Sequence, residues 1–159
     1  MLMRILSAAS LLLSSINLTA MSCMPMTVKE AAANADVIFR GTIVGIHDAK
    51  TDALTQVLQP RKIILVFRVS RAWKGPVTAK FELAVVQDNL RPAGSDQFWT
   101  RFLVVGNDLL VYGFRSKQTG EYMSHPCSHT SLARDSKDFL YLGPGSMPQA
   151  RTAAGLVQH

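Results

Sequence analysis

The chain has 159 residues, of which 48% are hydrophobic and 18% charged, so its composition is that of one globular domain rather than a disordered segment. Its 17 Lys and Arg against 11 Asp and Glu give a formal net charge of +6, which favours acidic partners such as nucleic acid, anionic lipid or acidic protein surfaces. The basic residues form no block of like charges, and solvated strand faces account for their spread along the chain.

The N-terminus is typical of a secretory signal peptide. One positive charge in Met1–Arg4 precedes a largely apolar run over Ile5–Leu18, which is too short to span a hydrocarbon core of about 30 Å comfortably. Small residues offer two cleavage sites, after Ala20 or after Ser22. We therefore expect a signal peptide within residues 1–22, cleaved after Ala20 or after Ser22 on export to a periplasmic or extracellular location, and we expect no transmembrane segment in the mature chain.

The chain has two cysteines, Cys23 and Cys127, and export changes what they can do. In an oxidising compartment their simplest state is one disulfide, which would close a loop of about 100 residues and contribute up to ~4.7 kcal/mol in the chain-entropy model. The alternative is a lipid anchor on Cys23. Lipidation prefers leucine three positions before the cysteine and small residues next to it, whereas Ala20 and Met21 stand there, so the disulfide is favoured.

The mature chain is predicted to begin with a short helix followed by a strand. The sequence Thr27-Val28-Lys29-Glu30 fits a capping box for a helix that continues to about Ala35. The β-branched and aromatic residues of 36–46 then predict a strand, and its two glycines, Gly41 and Gly45, predict that the strand is bent or bulged.

Four further strands and a few short segments complete the predicted domain. The strands are placed at 62–73, 78–87, 109–114 and 121–125. A short helix is predicted over 130–137, Phe139–Leu142 closes the ordered part, and residues 144–159 are expected to form a loose tail. About five bent strands with short helices predict a mainly β protein, a small five-stranded OB-fold-like barrel with short flanking helices over 23–143.

One cluster, His125-Pro126-Cys127-Ser128-His129, contains the residue types of a metal site. On an extended strand His125, Cys127 and His129 would share a face, and zinc takes thiolate and imidazole ligands. Pro126 and an oxidised Cys127 oppose that arrangement, so we interpret the histidines as ordinary strand-end residues.

The sequence has no Gly-x-Ser-x-Gly motif, no glycine-rich phosphate loop and no carboxylate pair placed for acid–base work. We predict no metal, no cofactor and no catalytic residue.

Four segments stand in an order that resembles a known family. They are ADVIFRGTIVG (35–45), VFRVSRAWKG (66–75), VGNDLLVYGF (105–114) and CSHTSLA (127–133). After a signal peptide and a Cys-x-Pro start, they make about residues 21–143 similar to the netrin-like modules, which include the tissue inhibitors of metalloproteinases and their bacterial-type relatives. The resemblance implies an OB-fold whose N-terminal segment is tied onto the barrel by disulfides.

The cysteine pattern departs from that family in one respect. Its members usually begin with Cys-x-Cys, and here Cys23 matches the second cysteine while Met21 stands at the place of the first. The first cysteine's usual bridging partner is also missing, because Phe98-Trp99-Thr100 occupies that region. In the inhibitors the first cysteine's amine and carbonyl chelate the target's zinc, so Met21 weakens the expectation that this chain inhibits a metalloproteinase.

We expect an exported, non-enzymatic OB-fold module that binds another protein or an envelope surface. In the family's fold the N-terminal segment lies beside the 96–100 loop, and adaptable methionines with aromatic anchors suit a contact ridge. The residues of this predicted partner-binding ridge are Met21, Ser22, Met24, Pro25, Met26, Phe98 and Trp99. The alternatives are inhibition of a metalloproteinase, or binding of nucleic acid or another anionic polymer. The charge favours the polymer, whereas export and the lack of aromatics interleaved with basic residues disfavour it.

Overall fold

A computed structural model describes residues 25–49, 61–87, 101–125 and 127–149 of the chain. In chain order the elements are α1 (Val28–Asn34), β1 (Val37–Asp48), β2 (Arg61–Lys74), β3 (Lys80–Gln87), β4 (Asp108–Arg115), β5 (Tyr122–Ser124), β6 (Ser131–Leu132), a 3₁₀ turn (Ala133–Asp135) and α2 (Phe139–Leu142). None of the helices in these described ranges is long and apolar enough to cross a lipid bilayer. The predicted signal peptide, 1–22, and its cleavage sites lie outside them.

Five of the strands close into a barrel. β1 pairs antiparallel with β2 on one side and with β4 on the other, which joins the two ends of the sheet. β3 pairs antiparallel with β2 and parallel with β5, and β5 returns antiparallel to β4, so the order around the barrel is β1-β2-β3-β5-β4. The short β6 adds to β4 beyond β5. The predicted mainly β, five-stranded, OB-fold-like barrel is confirmed.

Bulges between β1 and β2 allow so small a barrel to close. The register between β1 and β2 shifts between Arg40 and Gly41 and again between Ile43 and Gly45, as well as once near the start of the strand. Each extra residue bends the strand and increases its twist. The predicted bulge in β1 is confirmed beside Gly45, where Val44 is the extra residue. At Gly41 the extra residue is Ser70 of β2, and a Cβ on Gly41 would lie 3.1 Å from the carbonyl oxygen of Arg68.

Side chains that alternate along the strands fill the barrel interior. On β2, Leu65, Phe67 and Val69 alternate along the strand and are buried. Phe39 of β1 contacts the rings of Phe67 and Phe81, with centroid distances of 5.2 and 5.1 Å. Aromatic pairs at this separation contribute beyond the area that they bury.

The opposite face of β1 and β4 forms a second, smaller core outside the barrel, which we call the outer layer. Because successive side chains on a strand point to opposite faces, Ile38, Leu110 and Tyr112 face outward while their neighbours fill the interior. The two short helices cover these residues. Other members that pack there are Met26, Ala31, Ala32, Ala35, Trp73, Phe139 and Leu142.

Hydrogen bonds fix both ends of α1. The hydroxyl of Thr27 accepts from the backbone N–H of Glu30 at 3.2 Å, and the Glu30 carboxylate accepts from the backbone N–H of Thr27 at 2.8 Å, which confirms the predicted capping box. At the C-terminal end, the ammonium of Lys74 donates to the carbonyls of Ala32 and Ala33. A cation at this end also complements the helix dipole.

One sequence prediction near the C-terminus differs from the structure. The helix predicted over 130–137 is wrong: residues 131–132 form β6 and only 133–135 are helical, as one 3₁₀ turn. The cause is tertiary, since Leu132 and Ser131 pair with Leu109 and Leu110 of β4.

The ordered part also extends beyond Gly143, into the predicted loose tail. Ser146 exchanges two backbone hydrogen bonds with Ala72 of β2, at 2.8 and 2.9 Å, and the indole N–H of Trp73 donates to the carbonyl of Gly143 at 2.9 Å. Gly145 has φ +67°, and a Cβ there would lie 2.8 Å from the Trp73 ring, so this close approach needs glycine. Residues 150–159 of that tail lie outside the described ranges.

Candidate functional site

A hydroxyl cluster fills a gap in the pairing of β4. On one edge β4 pairs with β6 near its start and with β5 near its end, which leaves Tyr112 between them. The backbone N–H of Tyr112 donates to the Thr130 hydroxyl at 3.1 Å, and the Ser124 hydroxyl donates to the Tyr112 carbonyl at 3.1 Å. The hydroxyls of Ser124, Ser128 and Thr130 lie within 3.0 Å of one another. This cluster fixes the loop that carries His129.

His129 lies where that loop meets the N-terminal segment. It has φ +67° and is the one non-glycine residue with positive φ in the described ranges. Its ring lies edge-on to the ring of Tyr112, with a centroid distance of 5.9 Å. Its Nε2 is 2.6 Å from the carbonyl oxygen of Met26, which lies 103 positions earlier in the chain. A side chain of the C-terminal half therefore holds the backbone of the N-terminal segment.

Asp138 completes this network from the start of α2. Its Oδ2 lies 3.4 Å from Nδ1 of His129 and accepts from the Tyr112 hydroxyl at 2.9 Å. Burial and the hydrogen bond to Asp138 raise the pKa of Tyr112, so the phenol keeps its proton and remains the donor. The network Met26–His129–Asp138–Tyr112 thus joins the N-terminal segment, the 125–130 loop, α2 and β4.

A small apolar cleft of about 60 Å³ lies beside this network, and Met26, His125 and Cys127 are among its lining residues. The His125 ring packs on Phe114, with centroids 5.4 Å apart, and its Nδ1 accepts from the backbone N–H of Cys127 at 3.1 Å. Burial lowers the pKa of His125, which favours the neutral ring that this acceptor role requires. No free cysteine occurs among the described residues.

A larger open cleft of about 540 Å³ lies at the other side of α2. It is lined by Arg40 and Asp108, which form an ion pair at 2.6 Å, and by the ring of Phe139, whose centroid is 5.8 Å from the Arg40 guanidinium carbon. Arg134, also on its wall, lies 3.8 Å from a carboxylate oxygen of Asp135. The charged side chains that line this cleft already form ion pairs with each other or with Asp135, and we assign no ligand to it.

Few of the predicted site residues lie in the described ranges. Of the partner-binding ridge, Pro25 is exposed and Met26 half-buried. The ridge residues that lie outside the described ranges are Met21, Ser22, Met24, Phe98 and Trp99, and Cys23 lies outside them too. The convergence of the two parts of the ridge therefore stays a prediction.

His125 and His129, which we considered as metal ligands, have separate partners. His125 bonds within its own loop, whereas His129 contacts Met26 and Asp138. In the part of the chain that the structure describes, no three His, Cys, Asp or Glu side chains are grouped to hold a metal ion.

The sequence reasoning did not find the network around His129. His129 was interpreted as an ordinary strand-end histidine. No local pattern joins it to Met26 and Tyr112, because the contacts are made between segments that are distant in sequence. The nearest available signal is the position of His129 directly after Cys127-Ser128 in the segment that resembles the netrin-like family.

No protein-family model matches the sequence, and a search of curated proteins finds no match either. The resemblance to netrin-like modules therefore depends on the four sequence segments described above.

Proposed function

We propose that the chain is an exported, non-enzymatic module whose OB-fold-like barrel presents its N-terminal segment to a protein or envelope-surface partner. The observation that carries this proposal is the attachment of Met26 to the barrel, through the 2.6 Å contact between its carbonyl and His129. Directly after it, Thr27 begins α1 with a complete capping box. A segment held in this way loses less conformational entropy when a partner orders it further.

A disulfide between Cys23 and Cys127 is part of the proposal, as a second attachment of the same segment. Two observations support it: the chain has two cysteines, and Cys127 lines the same cleft as Met26 and is not a free thiol. The intact mass of the secreted protein with and without reduction tests the bridge, since reduction adds the mass of two hydrogen atoms. The same spectrum gives the cleavage site and detects a lipid on Cys23, which would replace the disulfide.

The proposed contact surface is the partner-binding ridge. Pro25 and Met26 are its described part, and the resemblance to netrin-like modules extends it through Met24 towards Met21 and across to Phe98 and Trp99. Methionine side chains adapt to a partner's shape, and tryptophan is enriched among residues that dominate binding energy. A ridge of this composition suits a protein partner.

Site-specific photo-crosslinking in the exported fraction of the source cells tests the ridge. A photoreactive residue at position 24 or 99 should capture the same partner, whereas one at the exposed Val86 on β3 should not. The variants Met24→Ala and Trp99→Ala should each weaken binding of that partner at least about tenfold. Equal capture from position 86, or unchanged binding by both variants, would contradict the proposal. A zinc metalloproteinase as the captured partner would instead support the inhibitor alternative.

A second candidate function, binding of an anionic polymer, is favoured by the outward face of β1, β2 and β3. Arg40 pairs in register with Arg71, and Arg68 with Lys80. Like charges directly opposite each other on a sheet are destabilising. Arg40 is neutralised by Asp108, but Arg68, Arg71 and Lys80 are exposed and make no ion pair with a described residue.

Chromatography on heparin and on single-stranded DNA separates this candidate from the first. Binding through the basic face predicts retention that falls steeply with salt and is reduced in Arg68→Gln and Lys80→Gln. Arg61→Gln is the matched control, because Arg61 is already paired with Asp48. Equal retention of all three variants would exclude this face as the polymer site.

A further inference from the structure

We propose that the last residues of β2, 70–74, form a docking edge for an extended acidic peptide of another protein. Residues 143–149, which we call the tail segment, occupy this edge within the chain until such a peptide displaces them. The proposal uses none of the residues of the partner-binding ridge, so it holds or fails independently of the proposed function.

The docking edge exists because β2 continues beyond the start of its neighbour β3. β3 begins at Lys80, which pairs with Arg68, and one further hydrogen bond joins the N–H of Val69 to the carbonyl of Ala79 at 2.9 Å. β2 continues to Lys74 with β1 on one side, whereas no barrel strand of the described ranges pairs with its other side there. An unpaired strand edge is a template for another extended chain.

The tail segment shows how a peptide backbone fits this edge. Ala72 and Ser146 exchange two backbone hydrogen bonds, at 2.8 and 2.9 Å, as paired antiparallel strands do. The Trp73 indole donates to the carbonyl of Gly143, and Gly145 lies so close to the indole ring that a Cβ would collide with it. The edge therefore selects an extended backbone with glycine at one position, which is recognition by β-augmentation. A nucleic acid has no row of alternating N–H and C=O groups, so it cannot replace the tail segment here.

The tail segment is held weakly enough to be displaced. None of its residues is buried, and the preceding α2 has no buried residue either. Segments with few buried apolar contacts open at free energies well below that of global unfolding. The advantage of the tail segment over a free peptide is that it belongs to the same chain, which gives it an effective concentration on the order of millimolar. A peptide with better contacts can overcome this advantage.

The charge beside the docking edge favours an acidic replacement for the tail segment. Nη1 of Arg71 lies 3.7 Å from the sulfur of Met147, and a thioether is a weak acceptor. Arg71 makes no ion pair with a described residue, and Arg68 and Lys80, the pair at the start of β3, are exposed and make none either. Glutamate carries its carboxylate about as far along the side chain as methionine carries its sulfur, so it would form a charge-assisted hydrogen bond with Arg71. A peptide with glycine two positions before an acidic residue therefore fits this edge better than the tail segment does.

Amide hydrogen exchange on the full mature chain tests the inference with the synthetic peptide GPGSEPQ, which is the tail segment with glutamate in place of Met147. We expect the peptide to lower the protection factor of the chain's own Ser146 amide at least about tenfold. The Ala72 amide should stay protected, because the peptide takes the place of Ser146. The peptide GPVSEPQ is the matched control, since its valine would collide with the ring of Trp73. Unchanged protection of Ser146 at millimolar peptide, or equal effects of the two peptides, would overturn the inference.

Two substitutions in the chain separate the backbone contact from the charge. Gly145→Val should release the tail segment, because its φ of +67° and the 2.8 Å approach to Trp73 exclude a side chain, and it should raise the affinity for GPGSEPQ at least about tenfold. Arg71→Gln should abolish the preference of the edge for GPGSEPQ over the parental GPGSMPQ. Arg61→Gln is the control and should keep that preference, since Arg61 is already paired with Asp48. An undiminished preference in Arg71→Gln would refute the acidic peptide as the occupant, even if Gly145→Val fails to fold.

Other occupants of the docking edge would give different results. Binding of heparin or single-stranded DNA through Arg68 and Lys80, with no effect of GPGSEPQ on Ser146, would assign the charge to the second candidate function and overturn the inference. A dimer of the parent chain in light scattering, again with no effect of the peptide, would identify the tail segment of a second copy as the occupant and also overturn it. Absence of crosslinking from positions 24 and 99 would remove only the partner-binding ridge and leave the docking edge intact.

Discussion

The barrel interior and the outer layer bury their side chains by different means. The interior is filled by aliphatic and aromatic side chains from all five barrel strands, such as the contacting rings of Phe39, Phe67 and Phe81. The outer layer has fewer buried apolar residues and is completed by hydrogen bonds from distant segments. Examples are Trp73 to the carbonyl of Gly143 and Tyr112 to Asp138.

Because of this difference, the barrel interior determines the free energy of global unfolding, whereas the outer layer determines how firmly individual segments are held on the barrel. Apolar burial in the interior is cooperative and insensitive to pH, since every buried residue of that cluster is apolar. The polar contacts of the outer layer each hold one terminal segment, and their loss opens that segment at a free energy below that of global unfolding. Substitutions in the two regions should therefore have different kinds of effect as well as different sizes.

The largest effect is expected from Phe39→Ala in the interior. The change removes two ring contacts and leaves a cavity among residues that cannot collapse freely, which should lower the free energy of unfolding by about 3–5 kcal/mol. Chemical denaturation followed by circular dichroism measures this. Leu140→Ala is the control, because its side chain is 90% exposed and should cost no more than about 0.5 kcal/mol. Similar losses in both variants would contradict the division between the two regions.

The same division explains what the sequence could predict. The interior face of β2 was predictable because Leu65, Phe67 and Val69 alternate locally, and the capping box of α1 was predictable because its two residues are three positions apart. Strand β6 was mistaken for a helix, because its structure depends on pairing with β4, about 20 residues earlier in the chain.

The candidate site was predictable only in part. The sequence marked the N-terminal segment and the 125–129 loop as important, but the bond that joins them links Met26 to a residue 103 positions away. The order of the tail up to Gln149 was also missed, since it depends on the match between Gly145 and the ring of Trp73. Neither contact has a local sequence signal.

The second largest effect is expected from Thr130→Val, where the outer layer meets β4. Valine keeps the shape but leaves the buried N–H of Tyr112 without its acceptor, which should cost about 1–3 kcal/mol. Thr42→Val on the outer face of β1 is the matched control, because it removes no hydrogen bond to a described residue. Chemical denaturation should give a lower midpoint for Thr130→Val than for Thr42→Val. Equal midpoints would show that the hydroxyl cluster adds no stability.

A smaller and local effect is expected from Trp73→Phe. It keeps an aromatic ring near Phe139 but removes the N–H that bonds the carbonyl of Gly143, a loss of about 0.5–1.5 kcal/mol. Because this bond holds the tail, hydrogen exchange should accelerate at the amides of Ser146 and Gln149 while the barrel amides keep their protection. Acceleration throughout the barrel would instead show that the tail and the interior unfold together.

The smallest effect is expected at Glu30, on the exposed edge of the outer layer. Hydrogen bonds from the backbone N–H and the hydroxyl of Thr27 lower the pKa of its carboxyl group. A group with a lowered folded-state pKa stabilises the fold above its unfolded-state pKa, near 4.5, and loses this contribution as the pH falls through the folded-state value. The start of α1 should therefore open in acid while the barrel interior stays protected.

The carboxyl ¹³C shift of Glu30 gives its titration midpoint, which should lie lower in the folded chain than in the same chain in denaturant. Glu30→Gln keeps an acceptor for the backbone N–H of Thr27, because glutamine also completes a capping box. Its helix amides should then lose the acid-dependent change in protection that the parent chain shows. Equal midpoints in the folded and denatured chains would mean that the capping box adds no charge-dependent stability to the start of α1.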